Sequence, residues 1–159
     1  MTIHGMSKNT KSDSYNTPDY IFKQLNDIYT FTLDAACSEE NCKCIRQQTH
    51  FKRHDKWKDW NGLTHCWSKE RVFCNPPFSQ KEAWVKKAHE EVQGWGCPIV
   101  VMILPLNSIS NKNIHGILFQ YEVEILKNRI SFLTDETKEP IKGNSTGTAI
   151  VYFRKRIKV

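Results

Sequence analysis

The alternation of apolar and polar positions divides the chain into a polar start and a patterned body. Residues 1–14 are rich in Ser, Lys and Asn and carry no hydrophobic period, which predicts a mobile arm ahead of a single domain over 15–159. Ile21, Phe22, Leu25 and Ile28 recur at helical spacing after Thr17, read as an N-cap, and Pro18, read as the first helical residue. They predict an amphipathic helix over 18–28. Phe31 to Asp34 reads as a short buried strand ending in an acid, followed by the small residues Ala35 and Ala36. Residues 37–70 show no clear period and predict an irregular region with short elements. Val72 to Cys74 forms a second short strand that Pro76 and Pro77 terminate. Ala83, Trp84, Lys87, Ala88 and Val92 predict a helix over about 80–93, stopped by Gly94 and Gly96, with Trp84 and Trp95 as packing residues. Cys97 to Leu106 is the uninterrupted apolar run of a central strand covered on both faces. Strands over about 122–132 and 147–154, joined by a hairpin loop from Asp135 to Asn144, close the chain. Strands alternating with helices, then a hairpin, predict an α/β domain with a mostly parallel sheet and an antiparallel C-terminal hairpin at its edge.

Composition adds limits to this outline. A chain of 159 residues, 39% hydrophobic, supports one core and not two. Lys and Arg number 23 against 17 Asp and Glu, so a polyanionic partner is compatible with the charge. Lys52, Arg53, Lys56 and Lys58 interleave with Phe51, Trp57 and Trp60, a mixture suited to phosphate contact and base stacking. Six cysteines without an apolar signal segment point to reduced thiols and a cytoplasmic protein. The longest apolar run is too short to cross a bilayer, which predicts no membrane association. Cys42, Cys44, His50 and His54 have the residue types of a zinc site. Their Cys-x-Cys spacing is tighter than such sites use, and structural thiols and imidazoles with no metal are expected.

The chemistry concentrates in Asn75-Pro76-Pro77-Phe78, directly after a short apolar strand. An exocyclic amine on a nucleobase is a poor nucleophile because its lone pair is delocalised into the ring. Acceptors aimed at its two N–H bonds draw that pair out of conjugation. The Asn75 side-chain oxygen and the Pro76 carbonyl can supply them, and two prolines hold such acceptors ready in extended geometry. Phe78 would stack on a base turned out of the helix.

In these residues the chain resembles the phage-type DNA adenine methyltransferases, whose motif is Asp or Asn, then Pro-Pro, then an aromatic residue. Tyr15-Asn16-Thr17-Pro18 resembles the family's Tyr-x-Thr-Pro segment. Leu33-Asp34-Ala35-Ala36, with Asn41 following, resembles its cofactor strand. Asn61-Gly62-Leu63 and Trp67 resemble the Asp-Gly-Leu and Trp ahead of the motif, and Arg129, Ile130 and Phe132 resemble a Gly-Arg-Ile-x-Phe strand. The resemblance covers most of residues 15–153 in order. It implies a Rossmann-like methyltransferase fold, S-adenosylmethionine as cofactor, and DNA as partner with its target adenine flipped out of the duplex. It also implies Asn75, Pro76, Pro77 and Phe78 as catalytic residues, and Tyr15, Thr17, Pro18, Asp34, Ala35, Ala36 and Asn61 as cofactor-binding residues. The chain departs from methyltransferases with a Gly-rich cofactor loop, because Ala35 and Ala36 follow Asp34, and Asn61 stands where relatives often carry Asp. Two other readings stay open: a non-catalytic nucleic-acid-binding module using Phe51 to Trp67, and methylation of the amine of cytosine, which uses a nearly identical motif.

Overall fold

The computed structural model describes residues 13, 15–128, 130–134 and 147–157. Its elements run β1 (Tyr15–Asn16), α1 (Asp19–Tyr29), β2 (Leu33–Asp34), α2 (Ile45–Arg53), β3 (Arg71–Cys74), α3 (Lys81–Gly94), β4 (Ile99–Pro105), α4 (His115–Leu118), β5 (Glu122–Ile125), β6 (Leu133–Thr134) and β7 (Thr148–Phe153). Five strands form one sheet in the order β2-β3-β4-β7-β5. β2, β3 and β4 pair in parallel, while β7 is antiparallel to both β4 and β5, so four strands share one direction and β7 alone runs against them.

Strand alternation sorts the core onto the two faces of this sheet. Val72, Cys74, Val100, Met102 and Leu104 pack under Trp84, Val85, Ala88 and Val92 of α3. Phe73, Val101 and Ile103 pack on the other face under Ile21 and Leu25 of α1. Every residue of β4 is buried, as its unbroken apolar run predicts.

Several boundaries differ from the sequence reading, each for a physical reason. Pro18 is the residue before α1, and Thr17 makes no capping bond. The strand read over 122–132 ends at Ile125, because the chain then leaves the sheet. Leu133 and Thr134 instead pair antiparallel with Asn16 and Tyr15 in a separate two-stranded ribbon. The antiparallel strand is interior, between β4 and β5, and not at the edge. Residues 37–70 contain α2, which no apolar period announces because its buried residue is Gln47. Asp13, assigned to the mobile arm, is pinned: the Ser79 N–H and O–H donate to its carboxylate at 2.9 and 2.6 Å. The rest of the arm, Arg129 and the loop Asp135 to Asn144 lie outside the described residues. Among the described residues no helix is long and apolar enough to cross a membrane.

Buried Glu91 of α3 accepts the Trp67 N–H at 2.9 Å, pairs with Lys87, and so fixes the segment before β3. The Trp67 indole N–H in turn donates to the Gly62 carbonyl at 2.9 Å. Gly62 must be glycine here, since a Cβ would stand 2.0 Å from the Ala35 carbonyl oxygen.

Candidate active site

Strand register brings the site together. Asp34 pairs with Phe73, two residues before Asn75, so the acid and the Asn-Pro-Pro-Phe turn leave adjacent parallel strands at the same end. That end of an open α/β sheet is where ligands bind. A cleft opens there, and its walls include Tyr15, Thr17, Asp34, Ala36, Asn75 and Pro77.

Asn75 is oriented by one bond. Its Nδ2 donates to the Tyr15 carbonyl at 2.9 Å, so the amide cannot turn its nitrogen inward. Its Oδ1 is buried and has no hydrogen-bond partner among the described residues. An unmet buried acceptor costs about 1–3 kcal/mol, and persists where a ligand completes it. Thr17 Oγ1 is a second such atom. Pro76 is buried, and Pro77 (φ −54°, ψ 125°) leads into the turn Phe78–Gln80.

Phe78 stands in an aromatic trio. Tyr15 stacks on Phe132 at 5.7 Å, and Phe78 meets both rings edge-on at 6.0 Å. The β1–β6 ribbon holds Phe132 in this position, although it lies more than fifty residues beyond the motif.

Asp34 is buried, and desolvation pushes its carboxyl up to about 7 against the opposing pull of the Lys43 N–H, 2.9 Å from Oδ2, and the Lys43 charge. β2 is an edge strand with unpaired backbone, and a side chain takes the place of the missing neighbour. Gln47 Oε1 accepts the Asp34 N–H at 2.7 Å, and Gln47 Nε2 donates to the Asp34 carbonyl at 3.1 Å. Asn41 ties the following loop to β1, donating to Asn16 Oδ1 at 3.1 Å and accepting the Ser38 N–H at 2.7 Å.

Three other sequence candidates, Pro18, Ala35 and Asn61, lie outside the cleft lining. Pro18 is buried before α1, and Ala35 is buried with its N–H on the Phe73 carbonyl at 2.9 Å. Asn61 is exposed on the neighbouring turn, where its Oδ1 accepts the Leu63 N–H at 3.0 Å. Sequence reasoning missed Asn16, Cys37, Lys43 and Phe73 in the cleft wall and Gln47 behind it. A polar residue at a strand edge carries no local signal.

The zinc-type residues do not converge. Cys44 precedes α2 and His50 and His54 lie toward its far end, about 9 and 15 Å along the axis, beyond the reach of one ion. Among the described residues, the one group of His, Cys, Asp and Glu with converging ligand atoms is Asp34, Cys37 and Cys42. Cys37 is held protonated by its bond with Cys42 and by burial, and burial and Asp34 push the Cys44 and Cys74 thiols up.

A motif turn and a buried acid at adjoining strand ends define a class, and comparison with known proteins agrees. A family model described as DNA N-6-adenine-methyltransferase (Dam) matches residues 5–158, and the chain belongs to that family. A DNA N-6-adenine-methyltransferase of Escherichia phage T1 is 27% identical over 89% of this chain, which spans 63% of that relative's length. No solved structure matches the chain.

Proposed function

We propose that this protein transfers a methyl group from S-adenosylmethionine to the exocyclic N6 amine of adenine in DNA. The observation that carries this reading is the orientation of Asn75, a residue of the cleft wall whose Oδ1 is a buried acceptor with no partner among the described residues while Nδ2 is fixed on Tyr15. One amine N–H would donate to that oxygen and the other to the Pro76 carbonyl. Localising the nitrogen lone pair in this way makes the amine nucleophilic without a general base of high pKa. When bound, the cofactor supplies an activated methyl on a sulfonium, so the protein's task is to bind, align and exclude water.

The side chains lining the cleft support such a cofactor by their chemistry. Asp34 offers a desolvated carboxylate to hydroxyl or ammonium donors, Thr17 an unmet hydroxyl, and Ala36 leaves room for close approach. The fold is read as Rossmann-like because β7 lies reversed between β4 and β5 in an otherwise same-direction sheet with helices on both faces. A recessed cleft supports a target adenine turned out of the duplex, where its amine would meet Asn75 and its ring would meet Phe78.

Asp34 makes cofactor binding depend on pH. Its carboxyl, raised from 3.8 to about 7, is mostly protonated in the empty protein at pH 6 and mostly ionised at pH 8. A ligand held by the ionised form then binds about tenfold tighter at pH 8 than at pH 6, read by calorimetry. The sign for stability is opposite. The native state holds the proton more tightly than the unfolded chain, so this group's contribution declines as pH rises from about 4 to about 7. Asp34→Ala is expected to weaken cofactor binding by one to two orders of magnitude, roughly the loss of a charge-assisted bond, and to flatten the pH profile. An unchanged profile would remove Asp34 from the cofactor site.

The reading is tested by incubating the protein with methyl-labelled S-adenosylmethionine and unmethylated duplex DNA. Label in the DNA that is absent with Asn75→Ala is the expected result. No transfer, together with no cofactor binding, would leave the non-catalytic module.

A further inference from the structure

Beside the cleft, at the same end of the sheet, lies the basic and aromatic segment that the methyl-transfer reading leaves without a role. Its floor is an aromatic cluster: Phe51 packs edge-on against Trp57 at 4.9 Å and Trp60 at 5.1 Å, and Trp60 packs on His65 at 4.9 Å. The contact of Gly62 with Ala35, the residue after Asp34, joins this floor to the cleft. Lys52, Arg53, Lys56 and Lys58 of the same segment are exposed, and Lys56 and Lys58 line the hollow over Phe51 and Trp60. Lys58 pairs with Asp55 at 2.8 Å, and Lys52 lies 4.0 Å from Glu39. Among the described residues no carboxylate pairs with Arg53 or Lys56, and Lys56 Nζ instead lies 3.0 Å from His50 Nε2. Unneutralised cations crowded onto an imidazole form a surface that awaits an anion. Desolvation, then the charges of Lys56, His54 and Arg53, hold His50 below its usual value.

We infer that residues 50–65 dock the phosphate backbone of the duplex flanking the target base, with Arg53 and Lys56 as the principal contacts. This rests on the DNA methyltransferase reading above. Phosphates recur at regular short spacing along a duplex, so a row of cations beside the cleft engages neighbouring phosphates while the target base occupies the site. Packing of the aromatic floor in the free protein limits the ordering cost of binding. The chain has a second basic run, Arg154, Lys155 and Arg156, beside exposed Phe119. It lies at the opposite end of the sheet, because Phe153 pairs with Val100 at the start of β4 and Thr148 pairs with Pro105 at its end. A duplex seated on the cleft does not reach it.

The test is fluorescence anisotropy of a labelled short duplex with the full chain over a salt series, comparing wild type, R53E/K56E and K155E/R156E. R53E/K56E is expected to weaken binding at least about tenfold and to lower the salt slope by about two, the counterions of two phosphate contacts. K155E/R156E is expected to stay within about threefold of wild type. R53Q/K56Q, which neutralises the surface without reversing it, supplies the measurement if charge reversal prevents folding, with folding checked by circular dichroism. Equal losses in the two double variants, unchanged binding in R53E/K56E, or no duplex binding by wild type would each overturn the docking surface. Methyl transfer is scored separately. A wild type that binds duplex through this face and transfers no methyl overturns the enzymatic reading alone, and a wild type that methylates with R53E/K56E unaffected overturns the docking surface alone.

Discussion

Asn75→Ala is expected to lower the methyl-transfer rate by two to three orders of magnitude while cofactor affinity stays within about threefold. The magnitude is that of removing one preorganised hydrogen-bond partner from a developing charge. The split between rate and binding follows from which atom is free. Nδ2 is committed to the Tyr15 carbonyl at 2.9 Å, and Oδ1 has no partner among the described residues, so on the proposed reading its bond is made only with the substrate. Deleting it removes transition-state stabilisation and spares ground-state contacts of the cofactor. Asn75→Asp keeps an acceptor but cannot donate to Tyr15, and its rate is expected to fall between wild type and Ala. Single-turnover kinetics and calorimetry read the two quantities separately. A parallel loss of both in Asn75→Ala would mean that the residue builds the cofactor pocket.

Gly62→Ala is expected to destabilise the fold by about 3 kcal/mol or more, near the upper range for single substitutions. The new Cβ would stand 2.0 Å from the Ala35 oxygen and 2.8 Å from the Trp84 ring. Neither neighbour yields cheaply. Ala35 is tied to the Phe73 carbonyl, and Trp84 is buried and stacked on Trp67 at 6.2 Å. For a chain of this size the loss corresponds to a fall in Tm of roughly 10 °C. Gly116→Ala is the control, since a Cβ there meets nothing within 4 Å. Equal melting temperatures for the two variants would contradict the close approach that locks the Asn61 to Trp67 segment onto the end of β2.

The elements most legible in the sequence were those whose pattern is local. β4 is seven buried residues in an unbroken apolar run, and the face of α3 toward the sheet repeats at three and four. The Asn-Pro-Pro-Phe turn was legible because proline acts on its own neighbours. What local pattern cannot carry is pairing at long range. β1 and β6 are two residues each, and only their meeting places Phe132 beside Tyr15 and Phe78. α2 carries a buried amide in place of an apolar stripe, and that amide acts as a strand for Asp34. The cation series from Lys52 to Lys58 was visible as charge, but which of its members lack a carboxylate depends on the fold.

The central claim is that the cleft presents Asn75 to the amine of adenine. Digestion of methylated DNA to nucleosides and identification of the product by mass and retention tests it most directly. The account predicts N6-methyldeoxyadenosine, lost with Asn75→Ala. N4-methyldeoxycytidine as the product, or N6-methyldeoxyadenosine formed at an unchanged rate by Asn75→Ala, would contradict it.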